Sequence, residues 1–236
     1  MTTDPPDNPV INDDLSVLEA LVPLQAQRII ELGCGNARLA RDLLQRFPDS
    51  QVTGLEVDER QHAKNLAAAP VPHLRFVAAG AQAIPFENAS FDLALMLKSL
   101  HHVPLPLLAQ SLAEIARVLR PGGHLYVSEP VYAGALNDVI RLFNDEGVVR
   151  AAAQAALNEA LRGAVWRQVG EQRFEVLVQF SDFADFELRM MRPSYADHRI
   201  DDAKIAAVRA AFEPHCGDEG ARFSRPMHIR LLQRCE

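Results

Sequence analysis

Between Arg28 and Pro130 the chain alternates short apolar runs with longer amphipathic stretches. That alternation limits the possible folds more than any single residue does. The runs RIIEL (28–32), QVTGLEV (51–57), LRFVAA (74–79), FDLALML (91–97) and HLYVSEP (124–130) have the length and composition of strands. Between them the apolar residues fall at helical spacing. Leu39, Ala40, Leu43, Leu44 and Phe47 precede Pro48, a helix is expected over 59–68, and Leu105, Leu108, Leu112, Ile115 and Leu119 precede Arg120-Pro121-Gly122-Gly123. Strands separated by helices predict an α/β fold with a doubly wound, mostly parallel sheet. The run 91–97 is apolar on both of its faces, as a strand covered by helices on both sides must be.

Upstream, Asp13 or Asp14 is placed to cap a helix reaching Leu24, with Leu15, Leu18, Leu21 and Val22 on one face. Residues 1–11, rich in proline and acid, read as a mobile tail and as the opposite of a signal peptide. Downstream, 136–163 reads as one or two alanine-rich helices, 173–180 as an alternating strand, 182–191 and 201–213 as helices, and 226–234 as a last strand. The 236 residues, 48% of them apolar, suit a single domain over 1–236 with no repeat. A formal charge of −7 disfavours nucleic acid as a partner, since that needs a basic footprint. No apolar run approaches the roughly 20 residues of a membrane span. Three scattered cysteines form neither a disulfide framework nor a zinc pattern, which fits a cytoplasmic protein.

The chemistry concentrates where the first strand breaks, in RIIELGCGNARL (28–39). Gly33 and Gly35 let backbone approach a ligand closely, and a helix start immediately after offers unpaired N–H donors. About 20 residues on, at the end of the second strand, Glu56 is placed to accept hydrogen bonds from ribose hydroxyls.

Four motifs in order (ELGCG, GLEVD, AQAIPFENASFDLALM and RVLRPGGHLYVSEP) resemble the class I S-adenosylmethionine-dependent methyltransferases, and most of all the small bacterial enzymes with LPF…SFD and LRPGG signatures. The resemblance covers residues 28–130. It implies a Rossmann-like, seven-stranded sheet ending in an antiparallel strand, with 173–180 and 226–234 as its last two strands. Residues 28–130 would be the cofactor-binding core and 131–225 a helical substrate side. It implies S-adenosylmethionine as cofactor, S-adenosylhomocysteine as product, and a small-molecule acceptor methylated at O, N or C. Gly33, Cys34 and Gly35 would offer backbone to the methionine half and Glu31 would lie near its amino group. Glu56 would bind the ribose, Val57 would pack on the adenine, Ala81 and Gln82 would border its edge, and Leu97 and Lys98 would offer backbone to the methionine. Two positions depart from the pattern. Ala37 replaces a frequent third glycine and fits if its φ stays negative. Gly80 replaces a frequent adenine-binding aspartate, leaving Gln82 or backbone to make that contact.

Methyl transfer from a sulfonium disperses charge that already exists, so alignment and exclusion of water do most of the work. A base is needed only when the attacking atom still carries its proton. His101 and His102, after the fourth strand, are the candidates for that role, and Glu129 ends the fifth strand beside the same crevice. His101, His102 and His124 lack metal-ligand spacing and carboxylate partners, so no metal is expected. Cys34 reads as a small turn residue, and Tyr132 and Trp166 as core or pocket wall. Two other readings compete. A non-catalytic cofactor-binding regulator or partner subunit would keep the same turn. A nicotinamide-dependent oxidoreductase needs a third glycine at the position held by Arg38, whose bulk opposes it.

Overall fold

The computed structural model describes residues 8–11, 13–192 and 200–236. Asp13 caps the first helix by accepting the Leu15 N–H, and α1 (Asp14–Leu21) buries Leu15, Val17 and Leu18. Next come β1 (Arg28–Leu32), α2 (Arg38–Arg46), β2 (Gln51–Leu55), α3 (Glu59–Ala67) and β3 (Leu74–Val77). They are followed by β4 (Phe91–Leu97), α4 (Leu108–Val118) and β5 (Leu119–Pro130). The remainder holds α5 (Ala135–Ile140), α6 (Gly147–Ala160), β6 (Trp166–Phe180) and α7 (Phe183–Phe186), which runs into a π turn at Glu187–Met191. It closes with α8 (Asp202–Phe212), the two-residue β7 (Cys216–Gly217) and β8 (Gly220–Arg234).

The sheet order is β3-β2-β1-β4-β5-β8-β6, with β7 attached to β8. Strands β1 to β5 pair in parallel, placing Leu32 opposite Leu55 and Glu31 opposite Leu95, and the C-terminal strand is antiparallel. This is the doubly wound sheet expected, with β7 as an eighth strand beside the seven of the main path. The chain runs outward from β1 through β2 to β3, then returns to the other side of β1 at β4. The order therefore reverses between β1 and β4, and open α/β sheets bind ligands beyond the carboxyl ends of such a pair.

Contacts divide the chain into two compact units, with β6 and β8 each contributing to both. The first contains Asp13–Glu129, Val149–Gln172 and Ile229–Glu236. Its core joins Ile30, Leu32, Ala94, Met96, Leu125 and Val127 of the sheet to Leu112 and Ile115 of α4 and Leu157 of α6. The second contains Pro130–Val148 and Arg173–His228 together with the N-terminal segment. Aromatic rings fill its core: Phe180 meets Phe186 edge-on at 5.1 Å between centroids, and Phe212 lies against Phe186 at 4.9 Å.

Several expectations need correction. Residues 1–7 lie outside the described residues, but 8–11 are not a loose tail. Ile11 N–H donates to Glu175 O at 2.8 Å and Glu175 N–H to Pro9 O at 2.9 Å, so this segment lies along β6. Leu105 sits in a 3-10 turn ahead of α4 and is exposed. Leu119 is buried but begins β5 instead of ending the helix. The LRPGG stretch is a bulge inside β5, because the register moves from Phe91–Leu119 to Leu93–His124. Gly123 makes that bulge possible, since a Cβ there would lie 2.9 Å from Arg120 O and 3.0 Å from Asp92 O. β6 begins at Trp166, well before the expected Arg173, because its first half is held by distant partners. Trp166 joins the core with Leu232, and Gly170 lets the strand approach Leu231.

Candidate functional site

The carboxyl end of β1 turns sharply. Gly33 N–H and Cys34 N–H both donate to Leu55 O, at 2.9 and 3.0 Å, which ties the turn to the end of β2. Gly33 has φ +72°, and a Cβ on it would come within 2.9 Å of the Ser99 Cβ. Ser99 in turn donates its hydroxyl to Leu32 O at 2.7 Å, so the turns after β1 and β4 lock together. Gly35 differs: its φ is +53°, but nothing lies within 4 Å of where its Cβ would be. The turn is closed toward β4 at Gly33 and open at Gly35.

The condition under which Ala37 would fit the turn without strain, a negative φ, is not met. At φ +56° Ala37 occupies the left-handed region as the N-cap of α2, fully buried and without a side-chain cap. The third glycine of the usual pattern is replaced here by an alanine that carries the strain. Asn65 of α3 supports the turn from below, donating Nδ2–H to Gly35 O at 2.7 Å and accepting from Gln61 at 2.9 Å. Sequence reasoning missed Asn65, although a polar residue on the inner face of an amphipathic helix was the available signal.

Two carboxylates converge on this turn. Glu56 accepts the Gly35 N–H at 2.8 Å with one oxygen and the Asp58 N–H at 2.9 Å with the other. Main-chain donors thus fix its orientation, and the remaining lone pairs can accept from a ligand. Glu31 is buried, and one of its carboxylate oxygens has no partner among the described residues. Burial, and then the charge on Glu56, push the Glu31 carboxyl up to about 8. Cys34, in the same turn, is buried and its thiol is also pushed up, mainly by burial, which fits a small turn residue. Its sulfur packs where Gly54 has no side chain, 2.8 Å from the place a Cβ would take.

Of the other expected residues, Val57 stands 68% exposed beside Glu56, a large apolar surface at the mouth of the turn. Ala81 is buried and Gln82 half-buried. The Gln82 amide folds over Gly80 and takes the volume a side chain at 80 would need. Leu97 ends β4 and Lys98 follows it; Lys98 has φ +57°, its N–H donates to Ser128 O at 2.7 Å, and its ammonium lies 3.6 Å from Asp14. Past them His101 is buried and His102 exposed, their ring centroids 4.1 Å apart. Glu129 accepts the Leu100 N–H at 2.9 Å with one oxygen and pairs with His101 Nδ1 through the other. His124, half-buried, pairs with Leu93 near the amino end of β4, away from the turn. Trp166 is core, whereas Tyr132 is partly exposed with its hydroxyl bonded to Asp145 at 2.8 Å. A separate cleft of about 190 Å³, lined by Arg28, Thr53, His73 and Arg75, opens at the amino ends of the strands. That is the wrong end of the sheet for a ligand of this fold.

The doubly wound sheet, with a glycine turn after β1 and an oriented carboxylate after β2, supports a resemblance to the class I S-adenosylmethionine-dependent methyltransferases. Residues 29–123 match the family model described as a methyltransferase domain. Among curated relatives, the phthiotriol/phenolphthiotriol dimycocerosates methyltransferase of Mycobacterium leprae is 36% identical over 104 residues, 44% of this chain and 38% of that protein. The 27-O-demethylrifamycin SV methyltransferase of Amycolatopsis mediterranei is 34% identical over 157 residues, 61% of this chain and 57% of that protein. The chain thus matches roughly two fifths to three fifths of the length of these relatives. The crystal structure of YcgJ from Bacillus subtilis is alike in fold, with a TM-score of 0.65 at 18% identity, covering 94% of this chain and 98% of that one.

Family and fold imply S-adenosylmethionine as cofactor, and the residues present fit it. A buried carboxylate oxygen without a partner suits a cationic group. The open side of Gly35 leaves room for a ligand against main chain. Glu56 is held with lone pairs to spare.

Proposed function

We propose that this chain transfers a methyl group from S-adenosylmethionine to the O, N or C atom of a small molecule. The observation that carries the reading is Glu31, a buried carboxylate with an unpartnered oxygen beside a glycine turn at the switch point of the sheet. An isolated buried carboxylate is costly, and a cationic amine supplies what it lacks. Glu31 would hold the amino group, and backbone of Gly33, Cys34, Gly35, Leu97 and Lys98 would hold the rest of the methionine half. Glu56 would accept from the ribose hydroxyls. Val57, Ala81 and Gln82 would border the adenine, the Gln82 amide standing in for the missing aspartate.

The cofactor supplies an electrophilic methyl on sulfonium, displaced in line by the acceptor atom. What the protein adds is alignment and the exclusion of water, and a base at His101 or His102 where the acceptor carries a proton. The formal charge of −7 favours an uncharged or cationic acceptor over nucleic acid. No helix among the described residues is long and apolar enough to cross a membrane.

The test is Glu56→Ala. It is expected to weaken S-adenosylhomocysteine binding by about 1–3 kcal/mol through loss of charged hydrogen bonds, measured by calorimetry. Unchanged affinity would remove Glu56 from the cofactor site.

A further inference from the structure

The turn after β3 has no side chain at Gly80, and Gln82 fills the space instead. A Cβ at Gly80 would lie 2.7 Å from Gln82 Nε2 and closer still to its Oε1, so the Gln82 amide covers that position. The main chain around it is held from α4. Gln110 Nε2–H donates to Gln82 O at 2.9 Å, and Glu114 accepts the Ile84 N–H at 3.1 Å. Arg117 uses every N–H of its guanidinium here. It donates to Phe86 O at 2.7 Å, Ile84 O at 2.8 Å, Asn88 Oδ1 at 3.0 Å and both oxygens of Glu114. The backbone from 82 to 88 is thereby fixed, while the amide at its start is not. Half-buried, the Gln82 amide donates to and accepts from no group among the described residues. The turn also lies beside the ribose carboxylate of the proposed site, since Glu56 N–H donates to Val77 O, the end of β3, at 3.1 Å.

A 6-aminopurine presents an N–H donor beside a ring-nitrogen acceptor. A 6-oxopurine presents the reverse, an oxygen acceptor beside a ring N–H donor. An ionised carboxylate only accepts, so it serves the first edge and opposes the second. A primary amide carries an acceptor and a donor side by side and pairs with adenine through both. Turned over, the same amide pairs with the 6-oxo edge, and no bond within the protein opposes that turn at Gln82. We propose that Gln82 sets the nucleobase specificity of this chain, and that its amide lets the site take 6-amino and 6-oxo purine nucleosides alike. An aspartate at position 80 would restrict the site to the 6-amino edge. The inference rests on the methyl-transfer reading and concerns binding, not the transfer step.

The experiment is calorimetric titration of the full chain at neutral pH with S-adenosylhomocysteine and with S-inosylhomocysteine, its 6-oxo counterpart. The parent is compared with Gln82→Glu and Gln82→Ala. The quantity read is the ratio of the two dissociation constants, which a general loosening of the turn leaves unchanged because it weakens both ligands alike. In the parent, the inosyl compound is expected to bind within about tenfold of the adenosyl one. Gln82→Glu keeps the shape but removes the donor, so the 6-oxo ligand meets oxygen with oxygen. The ratio is expected to move against that ligand by about tenfold or more. Gln82→Ala is expected to weaken both ligands, each by about threefold or more. A larger ratio in the parent, a smaller change of ratio in Gln82→Glu, or a smaller loss in Gln82→Ala would each overturn the inference. A parent that binds neither ligand would instead overturn the methyl-transfer reading, so the two failures are distinguishable.

Discussion

Glu31 faces a conflict that a ligand can resolve. Burial and the Glu56 charge raise its carboxyl from the ordinary 4.5 to about 8. Between those values the folded state holds a proton that the unfolded state has lost, so stability falls as pH rises through the window from about 4.5 to 8. Glu31→Gln removes this dependence. Its stability relative to the parent, from urea melts at several pH values, is expected to increase steadily toward pH 8. A pH-independent difference would contradict the burial argument. The same linkage predicts that S-adenosylhomocysteine, bringing an ammonium to Glu31, displaces a proton below pH 8. The heat of binding should then vary with the ionisation enthalpy of the buffer, and no such variation is expected for Glu31→Gln. Two backbone positions give opposite signs. Ala37→Gly relieves a left-handed alanine and is expected to raise stability by about 1 kcal/mol or slightly less. Gly54→Ala must push aside Cys34 and Phe76 and is expected to cost about 1–3 kcal/mol. Thermal or urea melts decide both.

At the scale of elements, the part of the fold legible in the sequence is the part whose periodicity is local. β1 and β4 fall on their expected bounds because a strand buried on both faces shows itself as a mainly apolar run, interrupted here only by Arg28 and Glu31 in β1 and Asp92 in β4. The elements misread are those held by distant partners. The first half of β6 is polar and broken by Gly170, and only its packing beside β8 makes it a strand. Residues 8–11 look like a tail because their partner, Glu175, is 164 or more residues away. The site divides in the same way. Gly33, Gly35 and Glu56 are legible from spacing, since a tight turn and the end of the next strand have local signatures. Asn65, the left-handed Ala37 and the Glu129–His101 pairing are not, because each depends on how two elements meet. Asn65 provides the test at this scale. Asn65→Ala leaves Gly35 O without its donor and is expected to cost about 1–3 kcal/mol of stability and to loosen the glycine turn. Cofactor affinity should fall with it, whereas an unchanged affinity would mean that α3 does not support the turn.

For the whole molecule, the switch between β1 and β4 determines where chemistry can occur. Backbone turns, Glu31, Glu56 and the His101–Glu129 pair all lie at the carboxyl ends of parallel strands, within one compact unit. Residues outside 29–123 lie beyond the matched methyltransferase domain, and acceptor preference is expected to reside there. The dinucleotide alternative predicts a different ligand at the same turn, and that difference can be measured without knowing the acceptor. Calorimetric titration of the full chain with S-adenosylhomocysteine and, separately, with NADH tests the central claim most directly. Micromolar binding of S-adenosylhomocysteine, about −8 kcal/mol, with no response to NADH is the expected result. Binding of NADH with no response to S-adenosylhomocysteine would contradict it.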